Sequence, residues 1–251
     1  MTKGIWFFLA LIATFALTAG FALAVTPSGA NYTGEVTTTA AADDPESHSA
    51  IAGNLTYMSV TGFSSSQTWQ GYFGNVSGTI HLADSNDKVL YNWSLASPEG
   101  EVYATVNGTG QVAWGDITCY NFTGNYTEGG ARLTKLETRF NISTDDADGV
   151  NETFSDDNTH AAFFTAGTAF TTGLCPAAYM YDNSGEGNSG TFEEVLLSDA
   201  TDDVQIIFTS LLEKNEDGFD GEKYDFEMLV LENGHGGNTA ATDYYFYVEL
   251  E

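Results

Sequence analysis

Thr68–Trp93 reads TWQGYFGNVSGTIHLADSNDKVLYNW. From Tyr72 to Leu82 the even positions are Tyr72, Gly74, Val76, Gly78, Ile80 and Leu82, and the odd ones are Phe73, Asn75, Ser77, Thr79 and His81. A period of two is the pattern of a strand with one apolar and one polar face. Asp84, Ser85, Asn86 and Asp87 supply turn residues. The next run alternates again, with Val89, Tyr91, Trp93 and Leu95 on one side and Leu90, Asn92 and Ser94 on the other. Two N-x-[ST] sequons, at Asn75 and Asn92, put both the Asn and the Ser on the face assigned to water. The stretch predicts paired strands with a covered apolar face.

Working outward, short apolar runs alternate with Gly, Asn and Pro turns. Strands are expected at Asn54–Thr61, Glu101–Val106, Gln111–Trp114, Val204–Leu212, Tyr224–Leu231 and Asp243–Glu251, and further apolar runs stand at Ala161–Phe164 and Phe192–Leu197. The fold class expected is all-β, an antiparallel sandwich or barrel-like domain over residues 51–251. One short helix interrupts it at Ala131–Phe140, where Leu133, Leu136 and Phe140 recur at helical spacing. Arg132, Lys135 and Arg139 share its other side, either pairing with acids such as Glu128 and Glu137 or forming a docking strip. Residues 143–160 read as an acidic loop. Residues 25–50 read as an extended segment, within which Gly34–Ala40 is a candidate to add to a neighbour's sheet edge.

The chain opens MTKGIWFFLALIATFALTAGFALAVTP. Lys3, the apolar run from Ile5 to Ala19 and the Ala22-Leu23-Ala24 site predict a secretory signal peptide over residues 1–24. Two rivals stay open. Lys3-Gly4-Ile5 resembles a prepilin-peptidase site, which would leave a pilin-type helix, and the apolar run is about as long as a bilayer span. Membrane contact is expected only through this segment, if it is not cleaved.

The 251 residues carry 7 Lys and Arg against 35 Asp and Glu, a net charge of -28. Such a charge repels nucleic acid and anionic lipid, so neither is expected as a partner. Cys119 and Cys175 are the only cysteines, and in an exported chain a lone pair is expected to form one disulfide. A catalytic thiol would need a base such as His160, around which no motif is found.

Sequons begin at Asn31, Asn54, Asn75, Asn92, Asn107, Asn121, Asn125, Asn141 and Asn151. These nine come from 16 asparagines. Chance would give about three, so an N-glycosylation acceptor pattern is the better reading. The stretch Glu213–Asp225 places oxygen-bearing residues at alternate positions before a Gly turn. Asn215, Asp217, Asp220 and Asp225 are therefore candidate calcium ligands, with a plain acidic hairpin as the alternative. The stretch departs from the EF-hand at Glu213 and at Tyr224, where the bidentate Glu would stand. No dinucleotide, Walker, zincin or hydrolase motif is present, and His48, His81, His160 and His235 are scattered. No enzymatic activity is expected. Trp69, Trp93 and Trp114 are either core or a sugar platform.

The blocks TWQGYFGNVSG, YNWSLASPEGEVYATV, FEEVLL, GFDGEKYDFEMLVLENG and YYFYVELE together resemble a recurring type of secreted archaeal cell-surface glycoprotein, without an assigned activity. The resemblance implies an extracellular setting at the cell surface. The expectation is an exported, glycosylated, acidic surface protein, structural or adhesive, serving as an envelope or filament subunit. Its expected partners are further copies, other envelope proteins or glycans. The alternative is a calcium-dependent carbohydrate-binding module.

Overall fold

The computed structural model describes residues 26–94, 99–124, 132–199 and 205–250. In chain order its strands are β1 (Ser28–Gly29), β2 (Trp69–Gly74), β3 (Thr79–Ala83), β4 (Val89–Ser94), β5 (Gly100–Thr105), β6 (Ile117–Cys119), β7 (Phe163–Thr165) and β8 (Thr168–Phe170). They continue with β9 (Ala177–Tyr179), β10 (Glu193–Asp199), β11 (Ile206–Leu211), β12 (Glu216–Asp217), β13 (Lys223–Tyr224), β14 (Phe226–Leu231) and β15 (Tyr245–Leu250). Two short helices, α1 (Arg132–Arg139) and α2 (Val150–Thr153), complete the elements with two 3-10 turns. The fold is all-β and its sheets are antiparallel, as the alternation predicts.

The main sheet runs β1-β15-β5-β11-β10, and the far edge of β10 is shared by β6 and β9. One face carries a second layer of only two strands, β2 and β14, with α1 and α2 beside them. Phe208, Leu196, Met228, Val230, Leu136 and Phe154 fill that interface. The opposite face is covered by the β7–β8 hairpin and nearby loops, over Tyr103, Ile207, Leu197, Phe163 and Phe170. β10 and β11 are thus buried on both faces along their whole length, which is why they read as near-continuous apolar runs. Cys119 of β6 and Cys175, just before β9, form the expected disulfide across a separation of 56 residues. On the chain-entropy account a loop of this size stabilises by roughly 4 kcal/mol.

Several expectations are corrected. The long strand from Tyr72 to Leu82 is two strands that join different sheets. Asp225 Oδ2 accepts the Val76 amide at 2.9 Å, and the Asp225 amide donates to Gly74 O, so the ladder stops there. Asn54–Thr61 forms no strand, and no described residue pairs with it. β1, within the expected extended segment, pairs with β15 of the main sheet. Gln111–Trp114 is a turn leading into a 3-10 turn at Trp114–Asp116. The acidic loop contains α2. The leader over residues 1–24 lies outside the described residues. Among the described residues no helix is long and apolar enough to cross a membrane.

Candidate functional site

β3 and β4 form a two-stranded sheet that joins neither layer. Their register sets Ile80 opposite Trp93 and Leu82 opposite Tyr91. These four side chains are 44%, 50%, 53% and 60% exposed, and the Tyr91 and Trp93 rings lie 4.9 Å apart. The sequence predicts that they share a face, and they do; it also predicts that the face is covered, and it is not. A lone two-stranded hairpin is marginal in water. The four together make an exposed apolar face on it, the kind of surface that often marks an interaction site. Asn92 and His81 pair on the opposite side, so the Asn92 sequon points away from that face.

The remaining sequons separate by accessibility. Asn31, Asn54, Asn75, Asn92, Asn121, Asn141 and Asn151 are exposed, and Ser77 and Ser94 are exposed beside theirs. Asn107 is the exception. Its Nδ2, the atom that would carry a glycan, is buried. Asn107 O accepts the Tyr247 hydroxyl at 2.9 Å, which ties this turn to β15. Asn125 lies outside the described residues.

The candidate calcium ligands sit on or beside the β12–β13 hairpin. Asp217 pairs with Lys223 at 2.8 Å across the hairpin. Asp220 accepts the Glu222 amide and the Tyr224 hydroxyl, each at 2.9 Å. Asp225 is buried and accepts the Val76 and Asn215 amides. Asn215 takes the left-handed conformation, φ 50°, that lets its amide turn toward Asp225. Among the described residues no three His, Cys, Asp or Glu side chains form a group that could hold a metal. The hairpin reading accounts for each carboxylate; the structure does not gather them round one point.

Acids also do structural work that the composition hides. Glu193 accepts the Ala161 and Gly190 amides, Asp199 accepts the Ala113 amide, Glu227 accepts the Phe219 amide, and Glu194 accepts the Leu229 amide. All four acids are buried. In a chain with few cations, backbone N–H groups are the available donors, and each such bond ties a loop or layer to the sheet. Burial pushes the Glu194 carboxyl well above its usual range, against the opposing Leu229 amide. Burial also raises Glu213 to about 7, with Glu216 and Glu193 adding to it, and Glu227 to about 7. Glu101 and Glu249 face each other across β5 and β15, both buried, with the Tyr103 hydroxyl 3.3 Å and 3.1 Å from their carboxyls. Burial, then Glu101 and Glu249, hold that hydroxyl well above its ordinary pKa. Part of the acid content is thus buried and bonded to backbone amides.

His160 is buried beside Cys175, but its Nε2 accepts the Cys175 amide and its Nδ1 donates to Ala161 O. With the sulfur in a disulfide, this pair supplies no nucleophile. Trp69 packs on Phe154 and Phe208, and Trp114 on Tyr103 and Tyr247, so only Trp93 among the three candidate platform residues is half exposed. On α1, Arg139 is exposed and lies 5.6 Å from the Phe140 ring centre. Arg132 and Lys135 are half-buried and engaged elsewhere, so the three do not form a free strip. An open groove of about 590 Å³ is lined by Asn158, Tyr179, Tyr181, Glu186, Thr153 and Leu229. Nothing in the sequence pattern signals it, because its residues come from three separated stretches, 153–158, 178–187 and Leu229.

The chain matches no family model, no curated protein and no solved structure.

Proposed function

We propose that this is an exported, N-glycosylated surface protein whose role is structural or adhesive, as a subunit that associates with further copies. The observation that carries the reading is the β3–β4 hairpin, which holds Ile80, Leu82, Tyr91 and Trp93 out in water with no cover of its own. Two further facts support it. Sequons are dense, and most of their described asparagines are exposed. The region Ser47–Ala83, which leads into the hairpin, contains no Asp, Glu, Lys or Arg in a chain of net charge -28. Two strongly acidic bodies repel wherever their charged surfaces meet, so an uncharged region is where copies approach at least cost. The absence of a catalytic motif is consistent with such a role.

Negative-stain imaging of the native protein tests this, since filaments or lattices are visible without an assay. Tyr91→Ser with Trp93→Ser is expected to reduce association while leaving the melting temperature of the monomer nearly unchanged. A parent that stays monomeric at every salt and calcium concentration overturns the reading.

The groove beside Tyr179 and Tyr181 favours a second reading, carbohydrate binding. Aromatic faces beside an amide and a carboxylate are the chemistry by which sugars are held. Binding on a glycan array, repeated with and without calcium, supports it; an array without signal removes it.

A further inference from the structure

The loop from Asn31 to Gln67 is the longest irregular segment among the described residues. It is anchored at both ends. The Ala30 amide donates to Phe246 O beside β1, and Ser66 bonds to Asp148 just before β2. Between these anchors no strand or helix forms and every residue up to Ser66 is exposed. Leu55 and Tyr57 are 101% and 92% exposed, and Val60 and Phe63 are exposed too. Structureless loops of this length are uncommon in compact domains unless they serve a function. Within the loop, Asn54–Phe63 (NLTYMSVTGF) has the β-branched and aromatic content of a strand and lacks the partner that would make it one.

The body lacks a strand in the complementary place. Among the described residues its second layer holds only β2 and β14 over a far wider sheet, and no described strand pairs with the outer edge of β2. The Glu232 amide donates to Thr68 O at the end of the β14–β2 ladder, and the even positions Gln70, Tyr72 and Gly74 follow in register. Gly71 and Phe73 therefore turn their N–H and C=O groups outward. Below that edge the Tyr72 ring packs on Phe246 of β15 at 5.0 Å. Phe246, Val248 and Leu250 are left half-buried on the same face of β15. An unpaired edge above a half-covered apolar floor forms a trough that offers itself to a further strand.

We infer that the Leu55–Phe63 segment of one copy adds as a strand to the outer edge of β2 in a second copy and covers Phe246, Val248 and Leu250. Main-chain hydrogen bonds to Gly71 and Phe73 hold it, and alternate apolar side chains enter the trough. Charge favours a second copy as the occupant: segment and edge both lie in Ser47–Ala83, so neither brings a charge to the contact. The copy's own loop is the poorer occupant. Folding Phe63 back onto β2 needs a turn through residues 64–68, and that turn is already committed. Ser66 Oγ donates to Asp148 and accepts the Thr68 and Trp69 amides, and Gln67 O accepts the Gly234 amide. The inference rests on the subunit reading above and adds a second contact beside the β3–β4 face.

Full-length Leu55→Asp with Tyr57→Asp is compared with the parent by sedimentation and hydrogen exchange. Each buried aspartate is expected to weaken association by at least about tenfold. The monomer's melting temperature should not move, because Leu55 and Tyr57 stand exposed in the fold. In the parent, the Gly71 and Phe73 amides should become protected as concentration rises. A synthetic peptide of residues 54–63, added to the double variant, should protect the same two amides. Association of the double variant equal to the parent's overturns the inference and leaves the subunit reading standing. Protection by the peptide in a chain that never assembles upholds the strand–edge match and overturns the subunit reading. Protection that is independent of concentration assigns the trough to the chain's own loop and overturns the second copy as occupant. No protection by either route overturns the inference.

Discussion

Glu227→Gln isolates one of the buried carboxyls and gives a pH-dependent result. The side chain is 5% exposed, and its Oε1 accepts the Phe219 amide at 3.0 Å. Burial raises its pKa from the usual 4.5 to about 7; the Phe219 amide opposes this, and Asp220 and Asp182 add to it. The folded state therefore binds this proton more tightly than the unfolded chain does. The resulting stabilisation is complete below about pH 4.5 and is lost as pH rises through about 7. At about 1.4 kcal/mol for each tenfold in proton affinity, the whole difference is ~3 kcal/mol. Screening by nearby solvent reduces it to roughly 2 kcal/mol. Glutamine keeps the acceptor for Phe219 and cannot ionise. For a domain of this size roughly 2 kcal/mol moves the melting temperature by about 4–8 °C. Thermal unfolding between pH 5 and pH 8 should show the variant higher by that amount at pH 8 and close to the parent at pH 5. An equal gain at both ends, or none at pH 8, refutes the argument that this carboxyl is held protonated by its surroundings.

Other outcomes follow from single features. Peptide mapping of the native protein should find glycans at Asn75 and Asn92 and none at Asn107; a sugar on Asn107 would mean that its nitrogen is not enclosed by the fold. No thiol should react before reduction and two after, and reduction should lower the melting temperature by about 8–16 °C, the equivalent of roughly 4 kcal/mol. Because Asp217 is already paired with Lys223, calcium added to chelated protein should shift the melting temperature of the parent and of Asp217→Ala equally. A shift confined to the parent would restore the hairpin as a calcium site.

The sequence is legible where a local pattern meets a local cause. Alternation in Tyr72–Gly78 reports its face correctly, with the even positions half-buried and Phe73, Asn75 and Ser77 exposed. The apolar runs of β10 and β11 and the helical spacing of Leu133, Leu136 and Phe140 are read equally well. The misreadings share one physical origin, which is that periodicity shows which side chains share a face but not what lies against it. Ile80 and Leu82 continue the pattern of Tyr72 yet end in water, because Asp225 takes the Val76 amide and turns the chain away. Asn54–Thr61 carries strand chemistry without a ladder. β1, β6 and β9, of two or three residues each, are too short to carry a period and exist only through their pairing. The buried acids are the hardest to foresee, since Glu194 and Glu227 look like any other acid in the sequence until the amides they accept are brought to them.

The main sheet is finished at one end and the smaller layer is not. At the far edge of β10, two short strands lie in line and are joined by the Cys119–Cys175 bond. The edge of β2 has no such closure. A contact between a loop on one copy and that edge on the next uses two unlike surfaces, so it does not close on itself as a two-fold pair does. Where the rotation from copy to copy does not close a ring, copies joined this way would stand in single file, all pointing the same way. One terminus of the file shows an empty trough and the other an unspent loop. The two ends are chemically different, so a cap or anchor that recognises one would ignore the other, and growth and attachment could be controlled separately.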